Sequence, residues 1–144
     1  MTLIRHIGVV ITNVEKSLQF YRDILGFKIS NIADESGDFL DSFLNIKNTE
    51  VKTIKMIDSN NNMLELLHFK SHPEKHNNNK VRRLTEIGCS HFALTVEHLD
   101  SLYDTLRSQG IEFNHAPQAS PDGKVKVAFC RDPDGTLIEM VEEF

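Results

Sequence analysis

His6-Ile7-Gly8-Val9-Val10-Ile11-Thr12-Asn13-Val14-Glu15-Lys16-Ser17-Leu18 returns later in the chain as His91-Phe92-Ala93-Leu94-Thr95-Val96-Glu97-His98-Leu99-Asp100-Ser101-Leu102. Each copy opens with a histidine at the head of an apolar, strand-like run. Each half also closes on a glutamate inside another such run, Met63-Leu64-Glu65-Leu66-Leu67 in the first and Leu137-Ile138-Glu139-Met140-Val141 in the second. A repeat of this kind constrains architecture before any single motif is weighed, because the same pattern has to fold twice.

The spacing supports the duplication. His6 and His91 are 85 positions apart and Glu65 and Glu139 are 74 apart, so the first half is longer by 11. The surplus fits the loop-like stretch Asp34 to Asn48, which has no clear counterpart in the second half. Asp58 precedes Glu65 by the same seven positions that separate Asp132 from Glu139, so Asp58-Ser59-Asn60-Asn61 and Asp132-Pro133-Asp134-Gly135 read as matching turns before matching strands.

Working outward, Leu3 to Thr12 alternates as a strand. Asn13 is placed to cap a helix from Val14 to Leu25, whose Leu18, Tyr21 and Leu25 recur on one face and whose end is marked by Gly26. Strands are expected at Phe27 to Ile32, Val51 to Ile57 and Met63 to Phe69. The second half repeats this order: a strand from Cys89 to Val96, a helix from Leu99 to Gln109 ended by Gly110, and strands near Ile111 to Asn114, Lys124 to Arg131 and Thr136 to Glu142. The chain is therefore read as α+β, a single domain of two tandem βαβββ modules. Module one covers about 1–70, a polar, Asn-rich linker about 71–87, and module two about 88–144. Val81 to Glu86 is read as a short helix within that linker.

At 144 residues the chain has the length of one domain with a real core. A net charge of −5, with no basic run longer than Arg82-Arg83, argues against a nucleic-acid surface. No apolar stretch approaches the roughly 20 residues of a membrane span and no signal sequence is apparent, so a cytoplasmic protein with no membrane partner is expected. Cys89 and Cys130 are too few and too far apart for a disulfide framework and are read as reduced, partly buried thiols.

The repeated residues carry the chemistry. A glutamate in an apolar strand costs heavily to bury unless its charge is compensated. Two neutral imidazoles and two carboxylates, from His6, Glu65, His91 and Glu139, would balance a divalent cation and leave room for water or substrate. For any one of the four, a solvent-facing carboxylate or a hydrogen-bonded core histidine is the simpler account. The register of all four across the repeat favours the metal.

Paired βαβββ modules carrying these residues resemble the vicinal oxygen chelate superfamily of glyoxalases, methylmalonyl-CoA epimerases, extradiol dioxygenases and antibiotic-resistance proteins. The resemblance runs through His6-Ile7-Gly8-Val9, Ser17-Leu18-Gln19-Phe20-Tyr21-Arg22-Asp23-Ile24-Leu25-Gly26-Phe27, Ser90-His91-Phe92-Ala93-Leu94-Thr95-Val96 and Arg131-Asp132-Pro133-Asp134-Gly135-Thr136-Leu137-Ile138-Glu139-Met140-Val141-Glu142. It implies an incomplete barrel around one metal site and, for a small member, a homodimer in which His6 and Glu65 meet His91 and Glu139 of the same chain or of a partner. Glyoxalase-like and epimerase-like members use four ligands. Dioxygenases and fosfomycin-resistance proteins resemble a pattern without a ligand at the place of Glu65. The resemblance thus implies a lyase or isomerase of glyoxalase type acting on a small-molecule substrate, a carbonyl compound or thiol conjugate, through a metal-stabilised enediolate. Glu139 would be the proton-transfer group and Glu65 its symmetric counterpart, with Zn, Ni, Co or Mn as the metal. The alternatives are an acyl-CoA epimerase, which Thr85-Glu86-Ile87-Gly88-Cys89-Ser90-His91 resembles more closely, an Fe(II) extradiol dioxygenase using His68 or His115 as acid–base group, and a drug- or metabolite-binding resistance protein.

The remaining features have plainer readings. His68, His72, His76, His98 and His115 fall mostly in polar surroundings and are read as surface residues. Phe39, Leu40, Phe43 and Leu44 fit edge packing, or a cover over the site. Arg82 and Arg83 are read as solvated linker charges, with an anionic substrate tail as the functional alternative.

Overall fold

The first copy of the repeat begins as β1 (Ile7–Val10), and β2 (Lys28–Ser36), β3 (Glu50–Ile57) and β4 (Met63–Phe69) complete a four-stranded mixed sheet ordered β1-β4-β3-β2, in which β1 runs parallel to β4. The second copy gives β5 (Phe92–Thr95), β6 (Gln118–Ala119), β7 (Val125–Arg131) and β8 (Leu137–Glu143), ordered β5-β8-β7-β6, with β5 parallel to β8. Both are α+β units of the expected βαβββ order, and neither sheet closes on itself. The computed structural model describes residues 1–72 and 82–144 and divides into two compact units, Met1–His76 and Asn77–Phe144.

Alternation decides what each sheet buries. In the first unit Val9, Ile54, Met56, Leu64 and Leu66 are buried and share one face by register, while Gly8, Lys55 and Glu65 occupy the other. In the second, Ala128, Cys130, Ile138 and Met140 are buried on one face and Phe129 and Glu139 lie on the other. The core thus claims most of one side of each sheet, while on the glutamate side Val51, Thr53 and Leu137 are buried toward the strand ends and Glu65 and Glu139 stay partly open.

The first helix is capped as expected, the Lys16 amide donating to Asn13 Oδ1 at 2.9 Å. It departs from expectation after one turn. α1 (Val14–Leu18) continues as a π-helical turn (Gln19–Ile24) whose bonds include Leu25 N–H to the Phe20 carbonyl at 3.0 Å. The wider turn rotates the buried stripe from Leu18, Tyr21 and Leu25 to Ser17, Phe20 and Tyr21, the last edge-on to Phe20 and Phe27.

Three further expectations are corrected. The surplus Asp34 to Asn48 is not a loop: β2 runs on to Ser36, tied by Asp34 to Lys52 and Lys70, and α2 (Asp38–Leu44) follows Gly37. α2 buries Leu40 and leaves Phe39 and Phe43 exposed against each other. The strand near Ile111 to Asn114 shrinks to a bridge between Phe113 and Cys130. The Ile111 amide turns back to the Leu106 carbonyl at the end of α3 (Leu99–Ser108), and regular pairing resumes only after Pro117, which has no N–H to offer a ladder. The helix expected at Val81 to Glu86 reduces, in its described part, to a single turn closed by Glu86 N–H to the Arg83 carbonyl, too little to nucleate a helix. Val81 and His76 lie outside the described residues.

Candidate metal centre

His6 and His91 each stand immediately before the first strand of their unit, and two residues further on Gly8 and Ala93 pair with Glu65 and Glu139. A two-residue step keeps a side chain on the same face of a strand, so each histidine is carried onto the face of its glutamate. The outcome is the same in both units: His6 Nε2 lies 3.2 Å from Glu65 Oε2, and His91 Nε2 lies 3.2 Å from Glu139 Oε2.

That separation suits a shared cation. Metal–ligand bonds of about 2.0–2.2 Å set adjacent donors roughly 3 Å apart, and a nitrogen lone pair beside a carboxylate oxygen is the donor chemistry a borderline divalent metal takes. Among the described residues no group of three or more His, Cys, Asp or Glu side chains is assembled, so the four expected residues stand as two two-donor half-sites.

The half-sites differ in what surrounds them. Glu65 faces Lys55 across the β3–β4 hairpin, with Lys55 Nζ 3.9 Å from Glu65 Oε1, and its side chain is only 12% exposed. Glu139 faces Phe129 at the equivalent place, is 26% exposed, and has no lysine or arginine within ion-pair distance among the described residues. The Phe129 ring sits edge-on to the His91 imidazole at 5.1 Å, and Ser90 Oγ lies 2.6 Å from His91 Nδ1. The Ser90 hydroxyl can donate to Nδ1 or accept from it and so serves either tautomer; with a cation on Nε2 the ring hydrogen would sit on Nδ1 and go to Ser90.

Lys55, Phe129 and Ser90 were not singled out in the sequence. The signal for the first two was present, since each stands ten positions before its glutamate. Other candidates go elsewhere. His68 is on β4 but three residues from Glu65, hence on the opposite face, where its Nδ1 is buried without a hydrogen-bond partner rather than at the surface. His115 is exposed and its Nδ1 bonds to the Ala116 carbonyl at 2.6 Å. The Arg82 guanidinium donates to the Cys89 carbonyl, and Arg83 pairs with Glu86 at 3.9 Å. Of the thiols, Cys89 is exposed while Cys130 is fully buried, and burial pushes the Cys130 thiol up to about 12.

No helix among the described residues is long and apolar enough to cross a membrane. A family model described as the Glyoxalase/Bleomycin resistance protein/Dioxygenase superfamily matches residues 3–140. A probable lactoylglutathione lyase from Synechocystis is 30% identical over 138 residues, covering 95% of this chain and 92% of that protein. In structure the chain is similar to a glyoxalase family protein from Bacillus cereus, with a TM-score of 0.89 at 17% identity and coverage of 100% of this chain and 95% of that one. It is also similar to a fosfomycin resistance protein from Listeria monocytogenes solved with Mn(II) and sulfate, with a TM-score of 0.63 at 14% identity and coverage of 100% and 94%. With a family match over nearly its whole length, a duplicated βαβββ sheet and a His–Glu pair in each copy, the chain belongs to the glyoxalase/bleomycin resistance protein/dioxygenase superfamily.

Proposed function

We propose that the protein, a single superfamily domain over residues 1–144, is a divalent-metal-dependent lyase or isomerase of glyoxalase type, with His6, Glu65, His91 and Glu139 as the metal ligands. The observation that carries this reading is the identical register of the two His–Glu pairs, each at 3.2 Å. The relative named as a probable lactoylglutathione lyase supports the choice of reaction class, and the presence of Glu65 favours a four-ligand over a three-ligand centre. Zn, Ni, Co or Mn fits this nitrogen and oxygen donor set. A cytoplasmic homodimer is part of the same reading, and the two half-sites meet within one chain or across two copies.

Bound there, the metal would polarise a substrate carbonyl and make the neighbouring C–H more acidic. The protein's own groups do the rest. Glu139, which has no lysine or arginine within ion-pair distance among the described residues, is the carboxylate that takes a proton and returns it, and Glu65 is its counterpart. Ser90 would accept the Nδ1 hydrogen of a metal-bound His91, and Phe129 packs its ring against that imidazole.

The test is elemental analysis of protein purified without chelator, comparing the wild type with Glu65→Gln and Glu139→Gln. Near one divalent metal per site, weakened in both variants, is the expected result. Occupancy untouched by Glu65→Gln would move the protein to the three-ligand dioxygenase or resistance classes. No metal even after reconstitution would sink the reading.

A further inference from the structure

Lys55 and Phe129 occupy the same position of the repeat, each directly across a hairpin from the site glutamate, yet one is a cation and the other an apolar ring. On β3 Lys55 is flanked by Asn31 of β2 and Glu65 of β4, and Glu65 is the carboxylate within ion-pair distance of it among the described residues. That pairing is loose, at 3.9 Å, and the lysine side chain remains 34% exposed. The backbone beside it is irregular: the β2–β3 register shifts between Ile29 and Asn31, and Ser30 Oγ donates to the Lys55 carbonyl at 3.1 Å. A bulge of this kind re-aims neighbouring side chains and is enriched beside functional sites.

Charge balance gives this placement its meaning. Two carboxylates and two imidazoles offset a divalent cation, so once the centre is filled the negative charge of Glu65 is spent on the metal. Lys55 is then a partly exposed positive charge with no other carboxylate within ion-pair distance among the described residues, the next on that face being Glu35, two pairs further along the sheet. We propose that Lys55 is the anion-recognition residue of the site, and that the substrate is a small vicinal-oxygen compound carrying a carboxylate next to its chelating carbonyl, a 2-oxo or 2-hydroxy acid in chemical class. This rests on the metal-centre reading above and adds the substrate class to it. The ammonium orients the substrate carboxylate, and Asn31 on its other side offers no competing charge.

Pyruvate and 2,3-butanedione differ in little but the charge beside the ketone, and their methyl proton lines broaden when they bind near Mn(II). Titrating both into Mn(II)-loaded wild type, Lys55→Met and Lys55→Arg, with metal content measured on the same samples, tests the assignment without any turnover. Lys55→Met is expected to weaken pyruvate roughly fivefold, the upper end for a partly exposed ion pair. Lys55→Arg should restore most of that affinity, and 2,3-butanedione should bind all three proteins alike. Pyruvate affinity unchanged in Lys55→Met at full Mn(II) occupancy would overturn the role of Lys55 and leave the metal centre standing. A wild type that holds no Mn(II) would overturn both.

Discussion

Ser90 shows how much a single hydroxyl can decide. Its oxygen lies 2.6 Å from His91 Nδ1, and with a metal on Nε2 it would accept the hydrogen that Nδ1 then carries. Replacing it with alanine removes that acceptor without touching a proposed ligand. Ser90→Ala is expected to lower metal affinity about tenfold, measured by competition with a chromophoric chelator, while the far-ultraviolet circular dichroism stays unchanged. At this scale the sequence was legible where the two halves agree. His6, Glu65, His91 and Glu139 are the same residue types at matching places, and the structure pairs them within each half. Lys55 and Phe129 were not legible because a search for repeated chemistry passes over a position where the copies differ. Ser90 was missed because serine beside a histidine is common and only the side-chain direction makes it a partner.

Among the elements of the described residues, α2 has no equivalent in the second unit and is fastened by Asp41, whose carboxylate accepts the amides of Asn48 at 2.7 Å and Thr49 at 2.9 Å. The Thr49 amide is the main cause holding the Asp41 carboxyl below its usual range; desolvation opposes it, and the Asn48 amide adds to the lowering. A carboxyl depressed in the folded state stabilises fully above its unfolded value and loses that contribution as pH falls through the folded one. The clasp should therefore hold at neutral pH and release only as pH falls below the ordinary aspartate range. Nuclear magnetic resonance of the Asn48 and Thr49 amides should show an acid transition in the wild type and none in Asp41→Asn; amide shifts that stay flat in both proteins would contradict it. This segment was hard to read because an 11-residue surplus without a partner looks like a loop, and a seven-residue helix started by Gly37 has no side-chain cap to announce it. The shrunken strand before Pro117 misled in the opposite sense, since its apolar residues signal extension while the proline denies the ladder its donor.

For the molecule as a whole, duplication means two cores built to one plan. Leu66 and Met140 are fully buried, one on the last strand of each unit. Truncating either to alanine should cost about 2–5 kcal/mol, read from urea denaturation. A loss well under that in one unit would mean that its sheet is not anchored where the burial pattern puts its core. The architecture was the most legible level of all, because the repeat, the turns at Asp58 and Asp132 and the alternating strands all demanded the same answer. The divergence between the halves has a consequence of its own. A donor set related by duplication is blind to end-for-end reversal and treats a molecule and its flipped pose alike. An ammonium in one copy against a phenyl ring in the other removes that degeneracy. In the proposed four-ligand centre it would give a bound molecule a head and a tail.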